Sequence, residues 1–158
     1  MRLLFGVALV FVSCSAAAAP IQEGLTVTEF FTRLEQLARD LAEGGMELNR
    51  VHCVEDGALC QAFYGAATSV AARGPSQTGG MESITVTQEL AGETNDFWLT
   101  SALVFEVLEP DFLTIPEQSE LILDAMRGPS GGGFTGDIGK YVFDRLEGNL
   151  STMTVTAK

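Results

Sequence analysis

The sequence Arg50-Val-His-Cys-Val-Glu-Asp-Gly-Ala-Leu-Cys-Gln-Ala-Phe-Tyr64 contains two β-prone runs on either side of an Asp-Gly pair. Asp-Gly is a favoured pair for the two-residue turn of a β-hairpin. When the two runs are paired about this turn, Cys53 lies directly opposite Cys60. Opposed residues of antiparallel strands have Cα atoms about 4.5 to 5.5 Å apart, which is within the range that a disulfide spans. The sequence therefore predicts a β-hairpin closed by a Cys53–Cys60 disulfide.

The segment before this hairpin has the pattern of an amphipathic helix. Thr26 and Glu29 have the spacing of a capping box, in which each side chain accepts a hydrogen bond from the backbone N–H of the other residue. The apolar residues that follow recur at helical spacing; they are Val27, Phe30, Phe31, Leu34, Leu37, Ala38, Leu41 and Ala42. The other side of the helix carries charges of both signs, whereas a membrane-surface helix is rich in Lys and Arg. We therefore expect this helix to lie on a protein core.

Two segments after the hairpin differ in how clearly they can be assigned. Residues 83–90 alternate between apolar and polar and are rich in β-branched side chains, so they predict a strand with one face in water. Residues 97–108 are apolar on both sides of a strand and nearly all round a helix. Periodicity does not decide between the two. We predict a central strand here, with a buried helix as the alternative.

The C-terminal third contains a second helix and a second hairpin. Thr114-Ile-Pro-Glu117 is another capping box, with proline in the first turn, where its missing N–H costs little. The helix that it begins is expected to end at Gly128. Residues 128–139 are glycine-rich and predict a flexible loop. Residues 141–146 and 150–156 flank Glu147-Gly148-Asn149 and predict a closing hairpin.

The order of these elements predicts the fold class. A helix, strands, a second helix and further strands indicate an α+β domain. We expect a mostly antiparallel sheet with two helices packed on one face.

The first 19 residues resemble a secretory signal peptide in their arrangement. Arg2 precedes an apolar run of about ten residues, half the length of a membrane-spanning helix, and alanines follow. Cleavage is expected after Ala17, Ala18 or Ala19, which leaves residues 20–158 as a single α+β domain. Lipid anchoring at Cys14 is the less favoured alternative. The two cysteines that remain form an even pair, as expected of a disulfide in a periplasmic or secreted protein.

The charge of the chain restricts its partners. The net charge is −12, and removal of Arg2 with the leader makes it −13. Nucleic acids and anionic membranes are bound mainly through Lys and Arg, so neither is an expected partner. No apolar run after the leader is long enough to span a membrane. We expect a protein or small-molecule partner, with no membrane span in the mature chain.

No motif predicts a cofactor or a metal. Gly131-Gly-Gly133-Phe-Thr-Gly136 matches G-x-G-x-x-G, but a dinucleotide site needs a strand before this motif and a helix after it. His52 is the only histidine, and disulfide-bonded cysteines do not bind zinc. The acidic groups at residues 93–96 and 109–111 lack the spacing of a calcium loop and are interpreted as solvated charge.

Two short segments resemble chymotrypsin-like serine proteases. His52-Cys53 and Gly128-Pro-Ser130-Gly-Gly are similar to the histidine and serine segments of that family, and Asp96 lies between them. The resemblance would imply a His, Asp, Ser triad on two β-barrels. The chain is too short for two barrels, an amphipathic helix takes the place of the first one, and Pro129 replaces the acidic residue before the serine. We therefore interpret His52 as a strand residue beside a structural disulfide.

These observations favour a function without catalysis. We predict a small acidic interaction domain of the periplasm or secreted space, with no catalytic, cofactor-binding or metal-binding residues. Trp98, Phe97 or Tyr64 would form its contact surface if they are exposed on a sheet face, although residues of these types lie more often in the core. The alternative is a small hydrolase that uses two of the many carboxylates.

Overall fold

The computed structural model describes residues 18–40, 48–54, 58–65, 67–76, 78–89, 94–128, 131–146 and 150–158. This part of the chain contains three helices: α1 (Val27–Asp40), α2 (Thr94–Leu108) and α3 (Ile115–Arg127). It also contains seven strands: β1 (Leu48–Val54), β2 (Leu59–Tyr64), β3 (Thr68–Arg73), β4 (Ser83–Glu89), β5 (Gly132–Thr135), β6 (Gly139–Leu146) and β7 (Leu150–Ala157).

All seven strands belong to one sheet, in the order β1-β2-β3-β4-β7-β6-β5. Every neighbouring pair is antiparallel. The predicted α+β class and antiparallel sheet are therefore confirmed. The described residues contain three helices, however, where the sequence predicted two.

The β1–β2 hairpin has the predicted register at residues 52–54, next to the turn, and the register shifts between Asn49 and His52. Cys53 is the partner of Cys60, and the two sulfurs are bonded, with the Cα atoms 4.0 Å apart. The disulfide prediction is confirmed. The Asp56-Gly57 turn lies outside the described residues.

The two faces of the sheet differ in burial. Successive side chains of a strand point to opposite faces of the sheet. On one face, residues that are paired across neighbouring strands form rows of fully buried side chains. One such row consists of Cys60, Ala72, Ile84, Val155 and Tyr141. Two of the helices contact residues of this sheet: Phe105 of α2 packs edge-on against Tyr141, and Arg145 donates a hydrogen bond to the carbonyl of Met126 in α3.

Both predicted helix starts are found. The Glu29 N–H donates to Thr26 Oγ1 over 3.2 Å, and the Glu29 carboxylate pairs with Arg33. At α3, the Glu117 carboxylate accepts bonds from the Thr114 hydroxyl at 2.7 Å and the Thr114 N–H at 3.0 Å. These bonds, that from the hydroxyl first, lower the pKa of Glu117 because they favour the charged carboxylate.

The prediction of a central strand at residues 97–108 is wrong, because this segment is the core of α2. The helix contacts both the sheet and the other two helices. It is therefore apolar nearly all round, and its sequence has little amphipathic periodicity. The alternative of a buried helix is the correct one.

Two other sequence predictions need correction or addition. The glycine-rich segment 128–139 is not a loop throughout, because Gly132–Thr135 form strand β5 and pair with β6. The closing hairpin of β6 and β7 is confirmed, although its turn at 147–149 lies outside the described residues. Strand β3 was not predicted.

Among the described residues, no helix has the length and apolarity required to cross a membrane.

Candidate interaction surface

One face of the sheet carries rows of threonine and serine. Thr85 is paired with Thr154, and Thr87 is paired with Thr152, on the neighbouring strands β4 and β7. Thr85, Thr87 and Thr154 are half-exposed. We call this side of the sheet the threonine face. It comprises the side chains that alternate with the buried rows.

Two large apolar side chains are exposed on the threonine face. Phe63 is 44% exposed and Val54 is 43% exposed. The strand register places both side chains on this face. Phe63 lies in the same cross-strand row as Thr87. Val54 pairs with Leu59, which lies in the same row as Thr156. Of the two, Phe63 is the aromatic residue, and aromatic residues are enriched at protein interfaces.

The contact residues predicted from the sequence are not on this surface. Tyr64 and Phe97 are 1% and 2% exposed, and Trp98 is half-buried against the core. Burial raises the pKa of Tyr64, and the Glu35 carboxylate raises it further, so its hydroxyl stays neutral. The condition for a contact surface at these three residues, exposure on a sheet face, is therefore not met, and Tyr64 and Phe97 lie in the core. Strand alternation from the buried Cys60 would have indicated Phe63, because residues 60, 62 and 64 share the core side.

Charge is distributed unequally between helices and strands. The helices carry eight acidic residues and three arginines: Glu29, Glu35, Asp40, Asp96, Glu106, Glu117, Glu120 and Asp124, with Arg33, Arg39 and Arg127. The strands carry four cations and two acids: Arg50, Arg73, Lys140 and Arg145, with Glu89 and Asp144. The sheet is therefore the less acidic part of a chain of net charge −12.

The residues of the protease-like segments do not form a described triad. His52 is exposed on β1, where it pairs with Gln61. Asp96 lies at the start of α2 beside Gly65. Ser130 lies outside the described residues. Within those residues, no cluster of three or more His, Cys, Asp or Glu side chains has the arrangement of a metal site.

An open cleft of about 310 Å³ separates α1 from the end of α2. Two carboxylates, Asp40 and Glu106, and the guanidinium of Arg33 line it. Arg33 is paired with Glu29, and Glu106 accepts a hydrogen bond of 2.7 Å from Gln118 Nε2. The cleft is at the lower end of the volumes of small-molecule sites, about 300 to 1,000 Å³.

The most completely bonded polar group described is the carboxylate of Glu109, directly after α2. It is 3% exposed and accepts hydrogen bonds from the N–H groups of Asp137, Ile138 and Gly139, at 2.6, 3.3 and 3.2 Å. The Tyr141 hydroxyl donates a fourth bond, at 2.9 Å. The interpretation of Glu109 as solvated charge is therefore wrong.

Tyr141 remains a donor over the whole physiological range. Burial raises its pKa, and the Glu109 charge and the hydrogen bond to Glu109 raise it further. The hydroxyl therefore keeps its proton beside the carboxylate. The four hydrogen bonds to Glu109 connect the end of α2 to the β5–β6 turn and to β6. They indicate a structural role for Glu109.

The glycines of the G-x-G-x-x-G motif have a structural explanation. A side chain at Gly133 would overlap the carbonyl oxygen of Tyr141 on the neighbouring strand, and one at Gly136 would overlap the Glu109 carboxylate. Gly131 has φ of 80°, a conformation that favours glycine. The motif therefore serves the close packing of the β5–β6 hairpin around Glu109.

The chain matches no protein-family model, no curated protein and no solved structure.

Proposed function

We propose that this protein is a non-catalytic interaction domain that acts in the periplasm or secreted space and binds a protein partner through the threonine face. The observation that carries the proposal is the exposure of Phe63 and Val54 on the less acidic side of the molecule. Aromatic residues are enriched at protein interfaces, and charged residues are depleted at interface centres. On the threonine face, Phe63 lies in one row with Ser69 and Thr87, whereas the row of Val54 also contains Arg73 and Lys140.

Export is supported by two independent features. The first 19 residues have the three parts of a secretory leader. The Cys53–Cys60 disulfide is of the kind that persists in oxidising compartments and is rare in the cytosol. Edman sequencing of the protein from its native host tests this part, and we expect a mature N-terminus at residue 18, 19 or 20.

The contact surface is tested by exchanging one exposed side chain for a carboxylate on each side of the molecule. We expect Phe63→Glu to abolish capture of the partner from the host's extracytoplasmic fraction, because an anchor is lost and a charge is buried at the contact. Thr32→Glu, on the exposed side of α1, adds the same charge and should leave capture intact. Affinity pull-down followed by mass spectrometry measures both.

Two outcomes would contradict the proposed surface. One is a partner that both variants retain equally well. The other is a partner lost with Thr32→Glu and kept with Phe63→Glu, which would place the contact on the helices. Circular dichroism confirms that each variant is folded before the comparison is made.

A second candidate, a carboxylate-based hydrolase, is supported by the presence of Asp40 and Glu106 in one cleft. Paired carboxylates perform acid–base hydrolysis when they flank a scissile bond. If the cleft is catalytic, Asp40→Asn and Glu106→Gln each reduce turnover of a chromogenic glycoside or ester panel at least about a hundredfold. Wild-type protein without turnover, or variants as active as the wild type, would rule this candidate out.

A further inference from the structure

The β5–β6 turn surrounds a carboxylate with four uncharged hydrogen-bond donors. The N–H groups of Ile138 and Gly139 donate to Glu109 Oε1 at 3.3 and 3.2 Å. The Tyr141 hydroxyl donates to the same oxygen at 2.9 Å, and the Asp137 N–H donates to Oε2 at 2.6 Å. Consecutive backbone N–H groups in a turn form a concave site that favours anions. Both oxygens of one carboxylate therefore have donors in this turn.

The hairpin itself places these donors. The Gly136 N–H donates to the Gly139 carbonyl at 2.9 Å and closes the turn, and β6 pairs with β7 from Gly139 onward. Tyr141 is fully buried, and its ring stacks on that of Phe134 with 4.8 Å between the centroids. None of these contacts involves the side chain of Glu109. The donors therefore have supports of their own.

The space and the polarity of the site select a small monocarboxylate. A Cβ atom at Gly136 would overlap the Glu109 carboxylate, so glycine leaves the space that the carboxylate fills. An amide of the same shape would turn its NH2 group toward buried donors, which opposes its binding. The side chains of Asp111 and Asp137 are exposed, so water weakens the repulsion from their charges.

Helix α2 does not favour a carboxylate at this position. Glu109 directly follows Leu108, the last residue of α2, and the C-terminal end of a helix carries a partial negative charge that repels anions. The attraction that holds the Glu109 carboxylate must therefore come from the donors of the hairpin.

We infer that the β5–β6 turn is a carboxylate-binding site in its own right, formed by the hairpin, and that Glu109 is the ligand that the chain supplies to it. Without the Glu109 side chain, the same site takes a free small monocarboxylate such as acetate. The inference does not involve the threonine face, so it stands or falls independently of the proposed function.

Acetate binding to the mature Glu109→Ala protein tests this inference. The substitution removes a CH2–COO⁻ group, which has the heavy atoms of acetate, and a cavity made by truncating a buried side chain can bind a small molecule. We expect sodium acetate to raise the urea midpoint of Glu109→Ala, measured by circular dichroism. The folding equilibrium constant should rise about a hundredfold at an acetate concentration about one hundred times its dissociation constant. Acetamide and sodium chloride at the same concentrations should have no comparable effect.

Two further chains serve as controls. The wild type should not respond to acetate, because Glu109 already fills the site. In the double variant Glu109→Ala/Gly136→Ala, the added methyl group takes the place of the carboxylate. The double variant should therefore not respond to acetate either.

An acetate effect of equal size on the wild type or on the double variant would overturn the inference, because it would be a general effect of the salt. The same holds if acetamide acts as strongly as acetate, or if Glu109→Ala does not respond to acetate. If Glu109→Ala is unfolded without urea, acetate is titrated in sucrose, which favours the compact state, and recovery of the native circular dichroism spectrum is measured. A chain that acetate does not refold would contradict the inference as well.

Discussion

Glu109→Gln is expected to lower the free energy of unfolding by about 3 kcal/mol, because hydrogen bonds to a charged group contribute about 1.5 to 3 kcal/mol and each buried donor left unpaired costs about 1 to 3 kcal/mol. The carboxylate accepts four hydrogen bonds, three of them from consecutive backbone N–H groups of the β5–β6 turn. A glutamine amide keeps one acceptor oxygen and turns two N–H donors toward the remaining donors. The lost bonds and the donor–donor contact both oppose folding. Urea denaturation followed by circular dichroism measures the change.

Glu106→Gln is the matched control for this prediction. It makes the same chemical change one turn earlier, at a half-buried position where the carboxylate accepts a single described bond, from Gln118. The amide oxygen of glutamine can still accept that bond, so we expect a loss below about 1 kcal/mol. Tyr141→Phe removes only one of the four donors to Glu109 and should cost about 1 kcal/mol. Equal stability of the two glutamine variants would show that the turn does not depend on the Glu109 charge.

Local patterns in the sequence were sufficient where the deciding contacts are local. The register of β1 with β2 next to the turn follows from the position of Asp-Gly, and it places Cys53 opposite Cys60 without knowledge of the rest of the fold. The start of α3 follows in the same way from the spacing of Thr114 and Glu117. In both places the partners are separated by seven residues or fewer.

Helix α2 was mispredicted because tertiary contacts determine its pattern. It packs against the sheet, α1 and α3, so burial on several sides removes the polar stripe that identifies a surface helix. The length of the segment indicates a helix, although its periodicity does not. A mostly apolar segment of twelve residues exceeds the usual length of a strand, about five to six residues, and favours a helix.

Phe63 and Glu109 show the same difference between local and long-range information. Phe63 was within reach of the sequence, because strand alternation from Cys60 places it opposite the core. The bonds to Glu109 were not, since they join residues 28 to 32 positions apart and depend on where α2 ends relative to β6. Nothing in the sequence indicates that the glycine-rich segment 128–139 encloses the carboxylate of Glu109.

Gly133→Ala is expected to destabilise the protein by about 3 kcal/mol, near the upper end of the usual cost of overpacking. Replacement of glycine by alanine in a compatible conformation usually stabilises by about 0.4 to 1 kcal/mol, because the unfolded chain loses freedom. At Gly133 the same replacement is expected to destabilise the protein instead. The new methyl group would overlap the backbone carbonyl of Tyr141, and a strand backbone moves only if the β5–β6 pairing opens.

The position of the fastest hydrogen exchange distinguishes a local opening of β5 from a general loss of stability. We expect hydrogen exchange to accelerate first at the β5 amides and in the turn at residues 136–139, because the methyl group separates β5 from β6 there. Thr135→Ala changes an exposed side chain of the same strand and should stay within about 0.5 kcal/mol of the wild type. If Gly133→Ala were as stable as Thr135→Ala, β5 could not pack as closely on β6 as the structure places it. The structural explanation for glycine at position 133 would then lose its physical basis.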